Sequence, residues 1–188
     1  MNTSRARITG GVYLLYFLTA ILAQTLAKRG MIASGNAVNL IAYALYAALT
    51  LLFYHMFKPV SRSVSLMAAA LSFAGCAIGA LDALHFAPLN INPLWFFGFY
   101  CLLIGYLVIG STFLPRILGW LMVAAGIGWL AFLSPPLAKV LSVYIEVLGI
   151  LAEASLMFWL LAKGVHVQRW KQQAASRGGE VNPASPGQ

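Results

Sequence analysis

Six stretches of this 188-residue chain are apolar over roughly the 20 residues needed to cross about 30 Å of hydrocarbon. They run from about Gly10 to Ala27, Val38 to Phe57, Val64 to Phe86, Pro93 to Phe113, Ile117 to Leu133 and Leu141 to Ala162. The fifth is the shortest and carries Gly126 and Gly128. Apolar residues make up 61% of the chain and charged ones 9%, against about 25% charged in a typical soluble domain. A soluble fold of this size leaves roughly a third of its chain surface in water and needs charge to cover it. The composition therefore excludes a disordered chain, a disulfide scaffold and a soluble nucleic-acid binder. In lipid every backbone N–H and C=O must be satisfied within its own segment, so the spans are expected to be helices. Pro59, Pro88, Pro93, Pro115, Pro135 and Pro136 fall at or beside the proposed ends, where a missing N–H costs least. The expected fold class is all-α, an integral membrane bundle of six transmembrane helices.

Six spans put both termini on one side. That side carries Arg5, Arg7, Lys58, Arg62, Arg116, Lys163, Arg169, Lys171 and Arg177, nine cations; the other carries Lys28, Arg29 and Lys139, three. The positive-inside rule places both termini in the cytoplasm. The net charge of +8 thus needs no nucleic acid as partner. Residues 1–163 read as the transmembrane domain and 164–188 as a basic cytoplasmic tail, disordered toward its end, with Gly178, Gly179, Pro183 and Pro186. Arg169 to Arg177 act there as a stop-transfer flank or rest on anionic head groups. Arg5 and Arg7 before an apolar run ending in Ala23 to Ala27 also fit a signal peptide, but the run is long for one.

Three of the four acidic residues, Asp82, Glu146 and Glu153, lie within spans. A carboxylate at a helix centre costs about 2.5–3.5 kcal/mol on insertion scales, so three in a small protein need a reason. At about 1.5 Å per residue, Asp82 and Glu146 should lie roughly 6–8 Å inside the outer boundary, with Glu153 about 10 Å deeper. Glu146 and Glu153, seven apart, share a helix face with Gly149; Asp82 and His85, three apart, share another, continued inward by Gly75 and Gly79. That small-residue spacing lets a second helix come close. Asn39, Tyr43, Tyr46, Thr50 and Tyr54 form one stripe of the second span, and Tyr13, Tyr16, Ala20 and Gln24 one of the first. A bundle turning these faces inward holds Gln24, Asn39, Asp82, His85 and Glu146 at one level, above Glu153 and the tyrosines.

Blander readings compete at each position. Tyrosines at helical spacing are more often packing or interface belt than a ligand cage. Asp82 with His85 is either interhelical glue or an acid–base pair. Asp82, His85 and Glu146 supply three metal donors, but a single histidine among them disfavours zinc. His55 and His85 lie near opposite faces, which disfavours a two-histidine haem; no cofactor or metal is expected. Cys76 and Cys101 stand singly in spans and read as free, packed thiols. His55 and Trp95, Trp120, Trp159 and Trp170 read as interface anchors, and His166 falls in the tail.

The chain resembles the small bacterial multi-span membrane proteins grouped as domain of unknown function 4386. Three stretches carry the resemblance: Ala6-Arg7-Ile8-Thr9-Gly10 with Tyr13-Leu14; Gly105-Tyr106-Leu107 with Phe113-Leu114-Pro115-Arg116-Ile117-Leu118-Gly119; and Glu153 with Trp159-Leu160-Leu161-Ala162-Lys163-Gly164. Together they span nearly the whole chain except its last twenty or so residues. Ala152 stands where the family often has Gly. The resemblance implies a multi-helix membrane fold in a bacterial inner membrane, and it marks Glu153 as part of a recurring stretch. It brings no substrate, cofactor or catalytic residue.

Three functions fit these residues. In the first, an outer-half cavity binds or carries a small lipophilic or cationic molecule. Glu153 is its protonatable centre; Asp82, His85 and Glu146 sit at the mouth; Gln24, Asn39, Tyr43 and Tyr46 line it, the tyrosines offering ring faces to a cation. In the second, the carboxyls are general acid and base of an intramembrane isomerase or cyclase acting on a lipid or isoprenoid. In the third, the protein is an accessory subunit whose polar groups only lock helices together. Membrane lipids are the one partner common to all three.

Overall fold

A computed structural model describes residues 3–86 and 92–179. Pro88 and the tail beyond residue 179 lie outside the described residues. The helices are α1 Thr3–Lys28, α2 Ile32–Phe57, α3 Arg62–Ala83, α4 Leu94–Gly110, α5 Arg116–Leu130, α6 Pro135–Ala162 and α7 Val167–Gly179. A short 3-10 turn, Ala131–Leu133, extends α5.

Local chemistry sets the breaks. Gly30 (φ 82°) turns α1 into α2, and Gly164 (φ 68°) turns α6 into α7; both backbone states suit a residue without Cβ. Ser61 caps α3, its Oγ accepting from Val64 N at 3.5 Å. Pro115 is extended and precedes α5, and Pro135 opens α6, where its missing N–H would have no helical partner anyway.

Five of these helices are long and apolar enough to cross a membrane. The fourth expected span is shorter than the sequence suggests: α4 has 17 residues, about 25 Å of helix. Its apolar run continues to Phe113, but the chain turns extended at Ser111; a helix carried through to Pro115 would set the proline ring against the Ser111 carbonyl.

The helices close a ring in chain order: α1 packs on α2, α2 on α3, and so on to α6, which returns to α1. Large apolar side chains on the outside are exposed, among them Leu18, Leu66, Ile117, Ile127, Val143 and Phe158, all at least 57%. That exposure is the reverse of a soluble fold and is what lipid as solvent requires. Inside, Tyr13, Leu49, Met56, Phe57, Leu107 and Leu160 are buried to within 1%.

Several seams rest on backbone contact, α1 on α2 at Gly35 among them. A Cβ at Gly105 would stand 2.8 Å from the Gly119 carbonyl, and one at Gly119 equally close to the Gly105 carbonyl, so α4 and α5 touch through their main chains. A Cβ at Gly10 would stand 2.7 Å from Leu161 N, which fixes α1 on α6 near the N-terminal end of the bundle.

At that same end the basic tail begins as a helix, Val167–Gly179; the disorder expected toward its end falls outside the described residues. Trp170 Nε1 donates to Met56 O at 2.8 Å, and Gln173 Nε2 to Gly110 O at 3.1 Å. Gln173 Oε1 accepts from the Thr112 backbone N–H at 3.1 Å. The C-terminal carbonyls of α2 and α4 thereby gain partners they lack within their own helices.

Candidate functional site

The other end of the bundle is hollow. A cavity of about 580 Å³ is lined by the C-terminal half of α1, the N-terminal half of α2, the middle of α3, the start of α4, the end of α5 and the middle of α6. Successive helices therefore run in opposite senses, and the cavity opens away from α7.

The two polar stripes point inward. Tyr16, Ala20 and Gln24 from α1 and Asn39, Tyr43 and Tyr46 from α2 all line the cavity. Room for Tyr43 comes from Gly79, where a Cβ would meet its ring at 2.5 Å. Asn39 Nδ2 donates to Tyr43 Oη at 3.3 Å. Thr50, next on the α2 stripe, stands behind the lining: it donates to Tyr46 O at 2.8 Å and shares a hydroxyl contact with Ser72 of α3, which lines the cavity.

Glu153 lies at the floor, 6% exposed. Tyr13 Oη donates to its Oε2 at 2.8 Å, joining α1 to α6. Glu146, two turns toward the mouth, also lines the cavity but is exposed, as is Lys28. Around the floor stand aromatic rings: Tyr16 lies 4.7 Å from Tyr46, Tyr46 5.8 Å from Tyr100, and Phe97 5.4 Å from Trp129. The hydroxyls of Tyr46 and Tyr100 and the indole N–H of Trp129 are buried without a hydrogen-bond partner. Unsatisfied buried polar groups are rare in native proteins and concentrate where function or hydration accounts for them.

Asp82 and His85 do not line the cavity; both are exposed. Placing Asp82 inside the boundary assumed a helix running to Phe86, but α3 ends at Ala83. His85 takes φ 59°, the N–H of Phe86 bonds to Leu81 O at 2.9 Å, and that of His85 to Asp82 O at 2.9 Å. This is the paired hydrogen bonding of a left-handed helix C-cap. The Asp82–His85 spacing therefore belongs to a helix ending, and the carboxyl stands in the last turn. The acid–base pair expected of Asp82 and the three-donor cluster of Asp82, His85 and Glu146 do not assemble; among the described residues no group of three or more His, Cys, Asp or Glu could hold a metal ion.

Several lining residues carried no sequence signal. Tyr100 and Trp129 sit singly in apolar runs. Trp129 fits because Gly149 leaves its face of α6 bare: a Cβ there would stand 2.6 Å from the indole ring. Cys76 lines the cavity half-buried, whereas Cys101 is fully packed; both are free thiols.

Long apolar helices, lipid-type outer surfaces and a hollow closed ring define a multi-pass membrane protein. Residues 81–164 match the model of the family described as Domain of unknown function (DUF4386). That stretch contains the Gly105–Gly119 seam and Glu153; the Ala6–Leu14 opening, which also carries the resemblance, lies outside it. No curated protein and no solved structure matches the chain.

Proposed function

We propose that the protein crosses the bacterial inner membrane six times with both termini in the cytoplasm, residues 1–163 forming the bundle and 164–188 its basic tail. In this reading it binds or carries one small lipophilic or cationic molecule in the cavity of its outer half. The observation that carries the reading is the roughly 580 Å³ hollow floored by Glu153 and ringed by tyrosines. Its size falls within the range that encloses a drug-sized ligand. Aromatic faces and a carboxyl attract a cation, and a low dielectric strengthens the attraction. The carboxyl and ammonium groups on the cavity are Glu153 inside and Glu146 and Lys28 at the mouth, beside the Cys76 thiol and four tyrosines, so a bound cation competes with a proton chiefly at Glu153.

The test uses tetraphenylphosphonium and the purified protein in lipid nanodiscs, with empty nanodiscs subtracted. Saturable binding should weaken as pH falls. Glu153→Gln should weaken it at least about tenfold, equivalent to about 1.4 kcal/mol, and abolish its pH dependence. Unsaturable binding, or a Glu153→Gln variant that binds with the original pH profile, contradicts the reading.

The glue reading has one observation of its own, the Tyr13–Glu153 hydrogen bond between α1 and α6. In that reading Tyr13→Phe destabilises the bundle and no ligand competes for Glu153. The enzyme reading is the less favoured: with Asp82 outside the cavity, its two carboxyls would be Glu146 and Glu153, roughly 10 Å apart along α6.

A further inference from the structure

The wall of the cavity is not uniform. Every lining residue supplied by α2, α3, α4 and α5 is buried or half-buried. The exposed lining residues all come from two neighbouring helices: Ile21, Gln24, Thr25, Ala27 and Lys28 from α1, and Glu146 and Ile150 from α6. Ile21 and Ile150 are 59% and 56% exposed, although both face the cavity. The α1–α6 seam is tight at the opposite end, where Gly10 meets Leu161 and Tyr13 bonds to Glu153. Away from that pinned vertex, every exposed residue of the cavity wall belongs to one of these two helices.

We infer that the cavity is entered sideways from the bilayer through the gap between α1 and α6, and that its ligand is an amphiphile with a cationic head and an alkyl chain. The gap is graded as such a molecule is. At its vertex lie Glu153 and the ring faces of Tyr16 and Tyr46. Beside them, Ile21 and Ile150 offer apolar edges continuous with the lipid-facing surface. Lys28, the last residue of α1, stands at the rim, and the exposed Glu146 lines the gap from within α6. The head group exchanges the membrane interface for the carboxyl and the aromatic rings, and the chain stays in hydrocarbon along the isoleucines. Charge complementarity fixes the sign of the head, because the ionisable group buried at the floor is a carboxyl. A ligand held this way need never cross the aqueous phase.

This inference rests on the cavity being a ligand site, and the experiment separates the two. Dodecyltrimethylammonium, tetramethylammonium and tetraphenylphosphonium are titrated against the protein in nanodiscs with empty-disc subtraction. A dodecyl amine carrying a mid-chain diazirine is then photolysed in the same discs and its adducts mapped by mass spectrometry. The expected result is tighter binding of the dodecyl cation than of tetramethylammonium by at least about a hundredfold, with adducts concentrated on Ile21, Thr25 and Ile150 and removed by excess dodecyltrimethylammonium. Ile150→Trp, which narrows the gap, should slow association of the dodecyl cation more than that of tetramethylammonium. Saturable tetraphenylphosphonium binding with no chain-length dependence and adducts spread over all outer faces overturns the sideways entry and leaves the cavity reading standing. No saturable binding of any of the three cations overturns both.

Discussion

The two ends of this bundle are built from the same six helices and solve opposite problems. Near the termini, Leu49, Met56, Phe57, Leu107, Leu156 and Leu160 fill the ring completely, glycine brings α1 onto α6, and α7 satisfies carbonyls at the ends of α2 and α4. At the other end the same ring encloses a hollow whose lining carries Gln24, Asn39, Tyr43, Tyr46 and Glu146. Between them, the Tyr13–Glu153 bond is both the last interhelical contact of the filled half and the floor of the hollow one. The contrast teaches that side-chain packing and polarity are separated along the bundle. The filled end pins α1 on α6, and in the hollow half close backbone approach at Gly35 to Ala23 and at Gly126 to Gly98 holds other seams, so the polar groups there need contribute little to holding the ring.

Substitutions in the filled half should therefore cost most. Leu156→Ala, at a fully buried position, should destabilise by about 2–5 kcal/mol in a reversible unfolding assay in detergent, because a cavity opens where little can relax. A loss under about 1 kcal/mol would mean the filled half is looser than described. Gly10→Val should cost about 1–3 kcal/mol, since Leu161 backbone stands in the way of any Cβ. At the boundary, Tyr13→Phe should cost about 1–2 kcal/mol by leaving the Glu153 carboxyl without its partner. Trp170→Phe should cost about 1 kcal/mol and raise proteolysis within α7, by removing the bond to Met56 O. In the hollow half, Asn39→Ala should change stability by less than about 0.5 kcal/mol while weakening tetraphenylphosphonium binding. Equal stability losses in the two halves would erase the distinction.

Much of the hollow was legible in the residues. The stripes Tyr13–Tyr16–Ala20–Gln24 and Asn39–Tyr43–Tyr46 turn inward as their spacing requires, because in lipid a polar face has nowhere else to go. Glu153 was legible for the same reason. The failures lie where periodicity carries no direction. In α4 nearly every residue is apolar, so nothing marks Tyr100 as inward; Trp129 depends on a bare Gly149 in another helix. Asp82 and His85 were misplaced by a helix end, because the apolar run continues past Ala83 while the backbone does not. The α7 helix escaped notice because its inward anchors, Trp170 and Gln173, find partners only in the loops and helix ends of other elements.

The two native cysteines give the most direct test of a hollow half above a filled one. Cys76 lines the cavity, and Cys101 is fully buried. The folded protein in nanodiscs is treated with N-ethylmaleimide, and modification at each cysteine is followed by mass spectrometry. Cys76 should react at least about tenfold faster than Cys101 and be slowed by tetraphenylphosphonium, whereas equal protection of both thiols in the folded protein would contradict an accessible cavity.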